Sequence, residues 1–84
     1  MLRIYVANDC PGSPTALRCA AYLHVQAPEI LIEVVNLSNP GVQAPSFVFG
    51  TPMYVWNDHI LFLGNPSEQE LVARVRSLYE RTKT

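Results

Sequence analysis

Two apolar runs with a helical segment between them occupy the first 37 residues, and no other feature constrains the fold as much. Residues 2–7 are mostly apolar and rich in Ile, Tyr and Val, the pattern of a strand covered on both faces. Ala16, Leu17, Ala20, Leu23 and Ala27 then fall at helical spacing, with Cys19 and Ala21 at the edges of the stripe. The small side chains among them let a helix lie close against a sheet. Pro28 ends the segment, and residues 30–37 form a second run, nearly all aliphatic apart from Glu33 and Asn36. A strand, a helix and another apolar strand within about 35 residues predict a right-handed βαβ unit with parallel strands.

The rest of the chain reads as an irregular link followed by β-β-α. Ser38, Asn39, Pro40 and Gly41 form a turn, and the connection from there to Gly50 contains Pro45 and lacks a sustained helical period. It has room for at most one short helix or 3₁₀ turn around residues 44–48. Phe47, Val48 and Phe49 must either cover the sheet or form an exposed apolar patch. Residues 53–56 and 60–63 flank Asn57, Asp58 and His59 as a tight antiparallel hairpin, with Tyr54 and Trp56 as strand core. Ser67 and Glu70 stand at capping-box spacing ahead of a last helix. Its buried stripe is Leu71, Val72, Val75, Leu78 and Tyr79, and Arg74, Arg76, Arg81 and Lys83 lie toward its C-terminal end, where cations suit the helix dipole. The expected architecture is one α/β domain over residues 1–84, a four-stranded mixed sheet with helices on both faces.

Composition narrows the function classes. At 84 residues the chain is too short for two independent cores. With a net charge of −1, no basic run and one lysine, it has little with which to neutralise phosphates, so no nucleic-acid partner is expected. No run reaches the ~18 apolar residues of a membrane span, and the apolar N-terminus is too short for a signal peptide. Two cysteines do not make a secreted disulfide framework, so the expected setting is the reducing cytosol. Cys10, Cys19, His24 and His59 are spaced unlike any metal site, and no metal is expected.

Chemistry is most plausible at Asn8-Asp9-Cys10-Pro11-Gly12-Ser13-Pro14, the loop between the first strand and the first helix. Ser13 as N-cap with Pro14 at the first helical position is the favoured start; an opening at Pro11 is the alternative. A cysteine there faces unpaired N–H groups and the positive end of the helix dipole, which favour a thiolate. The adjacent Asp9 carboxylate is expected to act the other way. Cys19 would lie roughly 13 Å from Cys10 along one continuous helix, beyond the ~7 Å that a disulfide spans, and reads as a buried helix residue. Cys10 is thus either a nucleophile acting alone or a turn residue.

Cys10-Pro11-Gly12-Ser13 after strand one, Asn39-Pro40-Gly41 leading to Gly50-Thr51-Pro52, and the hairpin running into Gly64 and Ser67 resemble, in that order, the thioredoxin superfamily at its minimal, glutaredoxin-like size. The resemblance covers roughly residues 2–81, with the family's middle helix short or missing. It implies a cis peptide bond at Pro52 beside the Cys10 sulfur. It further implies a substrate groove shaped by Pro11, Thr51 and Pro52, with Gly64 and Asn65 as its far wall. Since Ser13 stands where dithiol members carry a second cysteine, the implied activity is of the monothiol type. Cys10 would be the catalytic thiol, Ser13 a hydrogen-bond donor to it, and glutathione or a protein thiol or disulfide the partner, with no cofactor required. The Tyr5-Val6-Ala7 opening, the Pro11-Gly12-Ser13 turn, the spacing to Thr51-Pro52 and the Leu78-Tyr79-Glu80 ending also look like the circadian-clock KaiB proteins, where the fold serves protein binding. That likeness implies the alternative of a non-catalytic binding module using the same groove, with Phe47 and Phe49 supplying apolar contact.

Overall fold

Strand β1 (Leu2–Val6) is the strand on which the sheet is built. A computed structural model of the chain describes residues 1–83, with side chains through Arg81. After β1 come α1 (Ser13–Gln26), β2 (Ile32–Asn36), β3 (Met53–Trp56), β4 (His59–Leu63) and α2 (Glu68–Lys83). The sheet has four strands in the order β2-β1-β3-β4. β1 runs parallel to β2, with Ile4 beside Val34, and antiparallel to β3, with Tyr5 beside Met53. The expected βαβ unit is therefore present, and the sheet is mixed.

Alternation along β1 decides what each face holds. Leu2, Ile4 and Val6 point with Tyr54 and Trp56 into one core, which Ala16, Cys19, Ala20 and Leu23 of α1 and Leu71 and Val75 of α2 complete. Tyr5 points the other way, into a smaller cluster with Met53 and Val55. Both helices thus share one face of the sheet and touch each other, which corrects the expectation of helices on both faces. The opposite face is covered by Leu37, Ala44, Phe47 and Val48 from the irregular link. That link forms only a turn, closed by the Val48 N–H on the Pro45 carbonyl at 3.0 Å. Pro40 and Pro45 each remove a backbone donor there, and no helical ladder develops.

Local signals account for most element ends. The hairpin turns on Asn57 (φ 46°) and Asp58 (φ 69°), two residue types that tolerate the left-handed region a two-residue hairpin requires. His59 accordingly belongs to β4, opposite Trp56. The capping box forms: the Glu70 N–H donates to Ser67 Oγ at 3.1 Å, and the Ser67 N–H to Glu70 Oε1 at 3.3 Å. Arg76 crosses from α2 to α1 and donates to the Gln26 carbonyl at 2.6 Å. It thereby satisfies one of the carbonyls orphaned at that helix end and sets a cation against the negative pole. The Lys83 side chain, expected among the cations of α2, lies outside the described residues.

The start of α1 departs from expectation by one position. Gly12 is the N-cap, at φ −82°, and no side chain caps the helix. Ser13 is already helical, and its hydroxyl is used elsewhere: it donates to the Ala7 carbonyl at 2.8 Å and accepts the Ala7 N–H at 3.1 Å. A tertiary bond to the end of β1 has won over a local cap. No helix among the described residues is long and apolar enough to cross a membrane.

Replacing Ser67 by Ala removes one half of the capping box. It should lower unfolding free energy by about 1 kcal/mol, read as a lower urea midpoint at unchanged m-value.

Candidate functional site

The pairing of strands brings three distant segments together. β1 ends beside the start of β3, and β4 ends beside that same residue, Met53, through its partner Leu63. The loop after β1, the residues before β3 and the residues after β4 therefore meet at one end of the sheet. These carry Cys10, Thr51–Pro52 and Gly64–Asn65 respectively.

Cys10 is held in a tight turn: its N–H donates to the Ala7 carbonyl at 3.2 Å, and its carbonyl accepts the Ser13 N–H at 3.1 Å. Its half-buried side chain reaches across the gap, and Sγ donates to the Thr51 carbonyl at 3.2 Å. The Thr51–Pro52 peptide bond is cis, as expected, and Pro52 is buried while Pro11 is exposed. A Cβ on Gly12 would meet Pro52 Cδ at 3.1 Å and Asn65 Nδ2 at 3.2 Å, so the loop passes this close only because position 12 carries no side chain.

The surroundings push the Cys10 thiol below its ordinary range. The largest influence is hydrogen bonding from the Thr51 side chain; partial desolvation opposes it, and the Gly12 and Ser13 N–H groups and the Ser13 hydroxyl add to it. The Thr51 carbonyl accepts from the neutral thiol, so Thr51 bears on the sulfur through both its backbone and its side chain. The Asp9 carboxylate, expected to raise the thiol, is solvent-exposed and does not reverse the shift. Ser13 has a second use beside its influence on the thiol: its hydroxyl donates to the Ala7 carbonyl and so ties β1 to α1.

Asn65 lies against the loop, and the polar groups of both Gly64 and Asn65 bond to protein. Gly64, at φ +87°, turns the chain out of β4 and donates its N–H to the Pro52 carbonyl at 2.9 Å. Asn65 Nδ2 donates to the Gly12 carbonyl at 3.0 Å, and Asn65 Oδ1 accepts from the Tyr54 hydroxyl at 2.8 Å. Burial pushes the Tyr54 phenol well above its ordinary range, so it stays a donor. Read from sequence only as strand core, Tyr54 is both that and the anchor of the site. No sequence signal pairs it with Asn65, because the two meet only once β3 and β4 are in register.

The other candidates lie elsewhere. Cys19 is buried in the main core, its sulfur 4.0 Å from the Pro66 carbonyl, and both cysteines are free thiols. Arg3 pairs with Glu33 across β1 and β2 at 2.8 Å. His24 and His59 are exposed, and the described residues hold no cluster of three or more His, Cys, Asp or Glu side chains placed for a metal. A surface groove along α2, lined by Phe62, Glu70, Ala73, Arg74 and Ser77, shares no residue with the Cys10 site. Phe47 is half-buried against the sheet, whereas Phe49 is 72% and Leu63 62% exposed beside the Thr51 end of the site. No protein-family model, curated protein or solved structure matches the chain.

Two outcomes follow for the site. Gly12→Ala should cost about 1–3 kcal/mol by overpacking, since Pro52 is buried and Asn65 is held at both ends of its amide; thermal or urea unfolding measures it. The lowered Cys10 thiol makes stability pH-dependent. Its contribution is complete above the ordinary thiol value of about 8.5 and is lost as pH falls through the lower folded value. Unfolding midpoints should therefore rise across that window, by a component that Cys10→Ser abolishes.

Proposed function

We propose that this chain is a thioredoxin-like, monothiol redox protein acting through Cys10, with glutathione or a protein thiol as its partner. The observation that carries the reading is the surroundings of the sulfur. A half-buried cysteine stands just ahead of a helix, with the Thr51 hydroxyl and two backbone N–H groups favouring its thiolate. The element order β-α-β-β-β-α, the cis bond at Pro52 and the meeting of Cys10 with Thr51 support the thioredoxin-like assignment.

With Ser13 tied to Ala7 and Cys19 in the core, resolution falls to a second molecule. The Cys10 thiolate attacks the glutathione sulfur of a protein–glutathione mixed disulfide. A Cys10–glutathione disulfide forms, and the protein sulfur leaves as a thiolate that takes a proton from water. A second glutathione thiolate then attacks the glutathione sulfur of that disulfide. Oxidised glutathione leaves, and the Cys10 thiolate is restored. Hydrogen bonding from the Thr51 side chain, the largest influence lowering the thiol, stabilises the thiolate as it forms and departs.

One observation favours the second reading, a non-catalytic binding module. Phe49 and Leu63 expose large apolar surfaces at the same end of the sheet, and such surfaces mark protein contacts more often than small polar ligands. In that case Cys10 is a turn residue.

Alkylation of Cys10 as a function of pH separates the two. The redox reading expects a midpoint below about 8.5, a glutathione adduct on Cys10 by mass spectrometry, and loss of disulfide exchange in Cys10→Ser. A Cys10 that alkylates like a free thiol and takes up no glutathione would end it. The binding reading expects Cys10→Ser to be silent and Phe49→Ala to abolish partner capture.

A further inference from the structure

Asn65 is a solvent-exposed residue whose amide is used at both ends, and its orientation is forced. The Gly12 carbonyl can only accept, so the amide nitrogen must face it; the oxygen then faces the Tyr54 hydroxyl, which donates. Tyr54 is fully buried, next to Ile4 of β1, with its ring edge-on to Phe62 at 6.0 Å between centroids. One end of the Asn65 bridge is thus fixed in the core. The other end is the peptide group between Gly12 and Ser13.

That peptide is the working part of the Cys10 loop. Its carbonyl accepts both the Asn65 amide and the Ala16 N–H, the latter at 3.1 Å. Its N–H, belonging to Ser13, donates to the Cys10 carbonyl at 3.1 Å, so the same peptide group closes the turn that carries the sulfur. Two donors on the carbonyl polarise the peptide and strengthen its N–H as a donor, because hydrogen bonds in a chain reinforce one another. They also stop the peptide from rotating. Gly64 supplies the approach: its left-handed turn, closed on the Pro52 carbonyl, delivers Asn65 to within 3.2 Å of where a Gly12 Cβ would stand.

We propose that Asn65 is the positioning residue of the Cys10 site, its amide clamping the Gly12–Ser13 peptide to the Tyr54 hydroxyl so that the turn bonded to the Cys10 carbonyl holds the sulfur in place. The proposal rests on the reading of Cys10 as the working thiol. Asn65 touches neither the sulfur nor a substrate; it acts through Gly12. Substituting it should change the sulfur's behaviour in the folded protein, beyond any change in stability.

The test is the pH dependence of Cys10 alkylation, assigned to Cys10 by peptide mass spectrometry, in the wild type, Asn65→Ala, Asn65→Ser, Tyr54→Phe and Ser67→Ala. Both Asn65 variants place small residues at an exposed position, so the fold should persist. Each should move the alkylation midpoint toward the free-thiol value and slow alkylation near pH 6 by about threefold or more, since the thiolate fraction below the midpoint falls tenfold per unit. Tyr54→Phe keeps the bond to Gly12 but frees the other end, and should give a smaller shift of the same sign. Ser67→Ala lowers stability without touching the loop and should leave the midpoint unchanged. An acidic wild-type midpoint that both Asn65 variants retain would overturn the positioning role and leave Cys10 as the working thiol. A wild-type midpoint at the free-thiol value would instead overturn the reading of Cys10 itself.

Discussion

The antiparallel pairing of β1 with β3 is the constraint on which the site depends. Because Tyr5 lies beside Met53, the loop that follows β1 and the peptide that precedes β3 must meet at one end of the sheet. The hairpin adds a third segment, since β4 returns to Met53 and releases Gly64 and Asn65 there. The parallel partner β2 ends at the same level, with Asn36 beside Val6, and Asn36 and Ser38 bind Asn8. Four strand ends therefore converge on about ten residues of loop, and backbone direction alone sets which residues share the space. Side-chain chemistry then decides how closely they approach: a glycine at position 12, a proline at 52 and an amide at 65 leave no gap to fill.

The electrostatics of the site come from neutral groups. The influences on the Cys10 sulfur are the Thr51 side chain, partial burial, the Gly12 N–H, and the hydroxyl and N–H of Ser13, and none is a charged side chain. Arg3, the cation nearest in sequence on the upstream side, is bound to Glu33 on the exposed part of the sheet. Oriented dipoles have two properties that a lysine would not supply. They keep their direction only while the loop is held, and salt screens them little at short range. Acidity of the thiol is therefore tied to the geometry of residues 10–13 and to whatever fixes that geometry.

Much of this order could be read from residue patterns, and the failures share one cause. The tight hairpin around Asn57, Asp58 and His59, although His59 proves to belong to β4, and the Ser67–Glu70 box are readable because each is local: the residue types act on backbone within four positions. The buried stripe of α2 and most of that of α1 follow from spacing, but Leu17, expected in the α1 stripe, is 49% exposed because the sheet covers only the face that carries Ala16, Ala20 and Leu23. Ser13 misled because its hydroxyl had two uses, a cap within its own turn or a pair of bonds to Ala7, and only packing of α1 against β1 selects the second. The placement of both helices on one face is likewise a choice between faces, which a periodic pattern does not encode. In the irregular link, Phe47 and Phe49 looked alike by composition, yet one packs against the sheet and the other faces solvent.

The bonds of Ser13 also bear on what position 13 can hold. A second sulfur at position 13 would have to give up the hydroxyl that holds both the N–H and the carbonyl of Ala7. A thiol is a weak donor and a weak acceptor, so it would leave half-buried backbone groups poorly satisfied just where β1 hands over to the Cys10 loop. Loosening Ala7 would act on Cys10 directly, because the Cys10 N–H is bound to the same Ala7 carbonyl. The serine therefore stabilises the turn that presents the cysteine, and Asn65 holds the far side of that turn through Gly12. Around this sulfur, Asn65 is committed to geometry, Ser13 both ties the turn and lowers the thiol, and Thr51 is the largest influence on it.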